Sequence, residues 1–252
     1  MLLGDLGGIR SRLLNEGVNL QLSLTGEFAG NISGTNVPNK NNSVRYAQQL
    51  AFSSDIDWDK LAGVPGFNTH FVVINRAGRN LSSDIIGDNV AQAQEIYGAG
   101  FDTGFHNVYV YAEEKLFDDR LNIALGHWPL LTDFATSTVA CVPIALTAGC
   151  GNPRVLDNQR AGTNWPQSSF GGRVRYRITP DVYVQAGVWQ VVPSPAGGRT
   201  GWNWFQGPNT GVAIPAEIGY EPAFGPNQLT GHYKLGMLWD STVYPDLFYS
   251  NS

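Results

Sequence analysis

The chain lacks several things, and each lack excludes a class. No uninterrupted apolar run of about 18 residues occurs among its 252 residues, so a membrane-spanning helix is excluded. Charge is scarce, with Asp, Glu, Lys and Arg together at 15%. That is too few for long helices built on Ala, Glu and Lys. The net charge of −5 leaves no global basic footprint for nucleic acid. Histidine occurs only at His70, His106, His127 and His232, and no two have the i, i+4 spacing of a helical zinc site. "GAGFDTG" (98–104) has neither the glycine spacing nor the preceding strand of a dinucleotide site. No cofactor or metal is expected. "MLLGDLGGIRSRLLNEG" has no basic leader and no small-residue cleavage site, so it does not read as a secretory signal.

Cysteine is limited to Cys141 and Cys150, which close "CVPIALTAGC". Paired as a disulfide they would stabilise that loop by about 3 kcal/mol and imply an oxidising compartment. Two reduced, buried cysteines are the other reading of the same spacing.

What is abundant is glycine (30), proline (14) and aromatic residues (12%), a profile of short connections and strands. After a short amphipathic helix expected over 6–15, with Gly17 as its stop, a period of two dominates. In "VNLQLSLTGEF", Val18, Leu20, Leu22, Leu24 and Phe28 share one face, and Asn19, Gln21, Ser23, Thr25 and Glu27 the other. Comparable alternation recurs at 44–56, 105–116, 120–128, 170–178, 182–192, 213–221 and 229–239, with a weaker strand near 66–76, nine in all. Tight turns at "FDDR" (117–120), "ITPDV" (178–182) and "FGPNQL" (224–229) alternate with long polar segments at 77–102, 128–169 and 193–212. No linker or internal repeat divides the chain, so 1–252 is read as a single domain.

Short turns at one end and long loops at the other fit an outer-membrane β-barrel. Its mean hydropathy of −0.16 fits too, because alternating strands average near neutral. Lys or Arg on the lipid side would cost about 2–4 kcal/mol near the midplane, and the apolar face carries almost none. The opposite face carries Glu27, Arg45, Asp55, Glu113, Arg173, Arg175, Arg177, Glu217, Glu221 and Lys234. A wet lumen accommodates such a row, and so does the solvated face of a soluble sheet with cross-strand ion pairs. Glu217 and Glu221 could serve a glycosidase, although strand spacing alone does not define one. Trp202 and Trp204, in "GWNWF", suit sugar stacking or a membrane interface, and equally a loop packed by its own aromatics.

Particular strings add a resemblance. "GDLGGIRSRLLNEGVNLQLSLTGEFAGNISG", "GCGNP" (149–153), "GWNWF" (201–205) and above all "PAEIGYEPAFGPNQLTGHYKLGMLWDST" (215–242) resemble the carbohydrate-selective porins, the OprB family. The resemblance implies an all-β fold: a transmembrane antiparallel barrel of sixteen strands in the Gram-negative outer membrane, passing monosaccharides such as glucose by diffusion. The nine strands here would form an incomplete barrel, the N-terminal portion of a longer protein without its signal, and its two open edges would favour aggregation. His127 stands where the family is expected to favour arginine. On this reading Arg173, Arg175 and Arg177 donate to sugar hydroxyls, Glu113, Glu217 and Glu221 accept, and Tyr109, Tyr111 and Trp189 offer ring faces. Glu27, Arg45 and Lys234 line the pore, and the 128–169 loop, pinned by Cys141 and Cys150, folds inward. Small sugars and outer-membrane lipid are the expected partners, nucleic acid is not, and association into a homo-oligomer stays open. The other function classes weighed are a secreted all-β carbohydrate-binding protein or glycosidase, and a β-rich surface protein with no transport role.

Overall fold

The computed structural model describes residues 4–87, 93–94, 96, 103–137, 156, 160–192 and 210–243. Nine strands form one antiparallel sheet: β1 (Val18–Gly30), β2 (Val44–Asp57), β3 (Phe67–Gly78), β4 (Thr103–Leu116), β5 (Leu121–Trp128), β6 (Ser169–Thr179), β7 (Val182–Val191), β8 (Gly211–Tyr220) and β11 (Tyr233–Asp240). Each pairs with the next along the chain, and the sheet is open, with β1 and β11 as its edges among the described residues. The connection from β8 to β11 carries a separate minimal hairpin, β9 (Ala223–Phe224) against β10 (Leu229–Thr230). "FGPNQL" is therefore the tip of this small hairpin rather than the whole turn.

Two short helices lie at the end of the sheet where the connections are short. α1 (Ile9–Asn15) starts later than its apolar spacing suggests, because Leu6, Gly7 and Gly8 all take left-handed backbone that a right-handed helix cannot include. Gly17 ends the turn after it at φ 89, where a Cβ would lie 2.4 Å from the Asp57 carbonyl oxygen. α2 (Trp58–Ala62) joins β2 to β3. Asp57 caps it by accepting from the Asp59 and Lys60 amides (3.1 and 3.3 Å), and Gly63 closes it in the left-handed region.

Alternation divides the sheet into two unlike faces. On one, Leu20, Leu22, Leu24, Leu125, Val174, Val188, Ile214, Ile218, Leu235 and Met237 are exposed, Leu22 at 68% and Leu235 at 75%. Aromatic residues flank this band: Phe28, Tyr46, Phe105 and Trp239 toward the long connections, and Phe117, Tyr176, Tyr220 and Tyr233 toward the short ones. Some meet in pairs, Phe28 on Tyr46 at 4.6 Å and Tyr220 by Tyr233 at 6.2 Å. No described layer of protein covers the band, so burial within this chain does not account for it.

The core lies on the opposite face. Trp128, Trp189, Val191, Ala124 and Ala213 from the strands enclose Leu130, Leu131 and Phe134 of the following segment, which opens with a 3-10 turn (Leu130–Thr132). The Trp189 ring lies flat on Gly171 and Gly187, where added Cβ atoms would come within 2.5 and 2.3 Å of it. A second cluster joins Val72, Ile74 and Val108, with Trp165 against it. Simple alternation along 105–116 would put Val108 on the apolar outer face with Val110 and Ala112. A register shift between Val72 and Val73 inserts an extra residue in β4 and turns Val108 onto the inner cluster.

Candidate functional site

The polar face is built from residues brought into register by cross-strand pairing. Asn122, Arg175, Gln185 and Glu217 stand directly opposite one another on β5, β6, β7 and β8. Arg175 donates to Gln185 (2.8 Å), and Gln185 donates to Glu217 (2.9 Å). On the preceding strands His70 lies 2.8 Å from Asp55 and 3.6 Å from Glu113, stacked on Tyr111 at 4.5 Å. Glu113 also accepts from Asn122 (3.0 Å) and pairs with Lys115 (3.2 Å) and Arg173 (3.6 Å). Nearer the short turns, Arg177 meets Glu221 at 3.4 Å, and Glu221 meets His232 at 3.4 Å. Acidic and basic groups thus meet on adjacent strands, as His70 does with Asp55 and Glu113, or across one intervening strand, as Arg173 does with Glu113 and Arg177 with Glu221.

Three connecting segments fold onto this face. Segment 79–87 is tied by Asp84, whose carboxylate accepts from Arg45 and Arg79, both at 2.9 Å. Burial would raise the Asp84 carboxyl, but the Arg45 hydrogen bond and the two guanidinium charges outweigh it and hold the group below the usual carboxylate range. Nearby, Gln94 donates to the Glu27 carbonyl, the Ile96 amide donates to the Glu27 carboxylate at 3.1 Å, and Arg76 donates to the Ile96 carbonyl.

Segment 129–137 is held from five strands. Trp128 Nε1 donates to Asp133 (2.9 Å), Arg173 Nε lies 3.1 Å from the same carboxylate, and Gln185 donates to the Asp133 carbonyl (2.8 Å). The Ala135 amide donates to Glu217 (2.8 Å), and Lys234 donates to the Thr136 carbonyl (3.1 Å). The third segment, 160–168, places the Trp165 indole N–H on Gln49 at 2.9 Å and the Pro166 carbonyl 2.8 Å from His106 Nε2.

The expected site residues therefore fall into two groups. Glu27, Arg45, Arg173, Glu217 and Lys234 lie on the polar face and hold the inward segments. Glu113, Arg175, Arg177 and Glu221 lie on that face in cross-strand pairs toward the short turns. The rings expected to stack on sugar are largely enclosed. Trp189 is 1% exposed between Trp128 and Phe134, at 4.8 and 5.6 Å, and Tyr109 and Tyr111 pack on Trp165 and Trp128. Their faces are taken by other rings because the segments fold onto them. His127 alternates with the inward Trp128 and packs edge-to-face on Phe170 at 5.1 Å. Cys141, Cys150, Trp202 and Trp204 lie outside the described residues. Sequence reasoning missed Asp84, Asp133 and Trp165 as anchors, because loop residues carry no strand parity that would assign them a face.

One apolar face girdled by aromatics and one polar face covered by long connections, on an antiparallel sheet of neighbouring strands, define the wall of a β-barrel of the outer-membrane porin type. The profile of the carbohydrate-selective porin, OprB family, matches residues 41–252, and the chain belongs to that family. It is similar to Porin B of Pseudomonas aeruginosa, 30% identical over 251 residues that make up 98% of this chain and 54% of the relative. The high-pH structure of Pseudomonas putida OprB superposes with a TM-score of 0.82 at 31% identity, over 95% of this chain and 56% of that one. Its low-pH structure superposes at 0.58 and 23% identity, covering 94% and 60%, a likeness of fold. The chain spans about half the length of the curated relatives it matches.

Proposed function

We propose that this chain forms part of the wall of an outer-membrane channel through which monosaccharides such as glucose diffuse down their gradient. The channel uses no cofactor and performs no catalysis. The observation that carries this reading is the pairing of charge on the polar face. Each guanidinium described there has a carboxylate or amide partner, so the surface offers many donors and acceptors with little unbalanced field. Neutral polyols gain from such a surface, whereas a small ion gains less than it would beside unpaired charges of one sign. Each contact has to be weak, because conduction needs release as well as capture.

The accessible groups lie toward the short turns: Asp55, Lys115, Arg177, Glu221 and His232. Arg177 donates to hydroxyls there, and Asp55 and Glu221 accept. The apolar band faces acyl chains, with its aromatic flanks at the two headgroup levels. Liposome swelling with the full-length protein tests the proposal. Glucose should enter faster than amino acids of similar size, and equal rates would leave a general pore without sugar selectivity.

A further inference from the structure

Glu217 is 6% exposed, yet its two carboxylate oxygens do different work. Oε1 accepts from the Tyr183 hydroxyl at 2.7 Å and from Gln185 Nε2 at 2.9 Å, both on the adjacent strand β7. Oε2 accepts from the backbone N–H of Ala135 at 2.8 Å, a residue 82 positions earlier in the chain. Ala135 has φ 53, in the left-handed region where a residue with a Cβ is held at a cost of about 1–2 kcal/mol. A surrounding contact has to offset that cost, and the Glu217 carboxylate is placed to do so. Gln185 reinforces the same segment by donating to the Asp133 carbonyl, and Lys234 does so by donating to the Thr136 carbonyl.

We propose that Glu217 is a positioning residue that sets the bore of the channel. It holds segment 129–137 flat against the wall and thereby fixes the largest solute that passes. This inference rests on the channel reading above. It assigns Glu217 to the latch rather than to sugar contact, since each of its oxygens already has a protein donor. The latch needs an acceptor oxygen rather than a negative charge. In Glu217→Gln the amide oxygen can keep the Ala135 N–H while the amide nitrogen donates to the Tyr183 hydroxyl oxygen. Gln185 retains its second acceptor, the Asp133 carbonyl. Glu217→Ala removes the acceptor that the Ala135 N–H and the Tyr183 hydroxyl share in the native protein.

The test is made on the full-length protein in liposomes and planar bilayers, comparing swelling rates for a monosaccharide and a trisaccharide. Glu217→Ala should raise the trisaccharide-to-monosaccharide ratio several-fold and increase single-channel conductance. Glu217→Gln should keep the native ratio while its ion preference shifts. A native ratio in conducting Glu217→Ala channels would overturn the latch, and so would an equal rise in both variants, which would make charge the cause. Should Glu217→Ala fail to fold, Lys234→Met on β11 takes its place. A raised ratio supports the latch and a native ratio overturns it. If the native protein itself admits no sugar, the channel reading fails instead, and that outcome is separate from those above.

Discussion

Arg173 Nε lies 3.1 Å from an Asp133 carboxylate oxygen, and the arginine is only 5% exposed. A charge so enclosed depends on its partners, because the desolvation cost remains when one partner is removed. Glu113 stays within 3.6 Å and offsets part of the loss. Asp133→Ala should therefore destabilise the full-length protein by about 3 kcal/mol, at the lower end for a broken buried pair. Replacing both members, as Asp133→Ala with Arg173→Met, should recover most of it. Urea midpoints in detergent decide this. A double variant no more stable than the single one would mean that the charge pair is not what the segment depends on.

The Trp189 ring occupies space that only glycine leaves free. Gly187→Ala would put a Cβ 2.3 Å from the ring and 2.5 Å from the Gly172 carbonyl oxygen, which is backbone and cannot swing aside. Overpacking of this kind should cost about 1–3 kcal/mol. Native stability in the variant, read from the same urea midpoints, would show that the ring is free to lift away from the wall.

The strands themselves were legible from alternation, and nine stretches became nine strands of one sheet. The weakest reading, near 66–76, became the twelve-residue strand β3. Its inward Val72 and Ile74 are apolar because they pack under Trp165 and Val108, so "FVVI" shows no alternation to read. Which polar residues share a face followed from parity, as the row Arg173, Arg175, Arg177 shows. What those residues hold did not follow, because Asp84, Asp133 and Ala135 sit in segments whose path is set by tertiary contacts. Trp189 shows the same limit: parity gave its side of the sheet, and only the fold of segment 129–137 explains why its ring is covered.

Acid should loosen segment 79–87. Asp84 is held below the usual carboxylate range when folded, so its stabilising effect is fully present above the unfolded value of about 3.9 and is lost as pH falls through the lower folded value. Protease cleavage of this segment, followed as pH is lowered, should rise in the native protein. Asp84→Asn should flatten that acid-dependent rise while raising cleavage at neutral pH. An identical pH profile in the variant would remove Asp84 from the account.

Arg175 and Arg177 lie near the Tyr183 ring, with guanidinium carbons 5.0 and 5.9 Å from its centroid, and they supply positive charge to the short-turn half of the polar face. Replacing both with alanine leaves Glu113 and Glu221 in excess there, so preference for cations should increase. The change should be largest at low ionic strength, because the screening length is about 8 Å at 0.15 M salt. Reversal potentials under a potassium chloride gradient measure it, and an unchanged potential would place both arginines away from the conducting path.

Which medium touches each face of the sheet decides whether it is a channel wall. Single cysteines at Leu22, Val184 and Glu221, introduced into the full-length protein with Cys141→Ser and Cys150→Ser and carrying spin labels in lipid vesicles, report that medium directly. Labels at 22 and 184 should be relaxed by oxygen dissolved in the bilayer and shielded from a water-soluble nickel chelate, and the label at 221 should show the opposite. Nickel access at 22 and 184 together with oxygen access at 221 would reverse the two faces and contradict the channel.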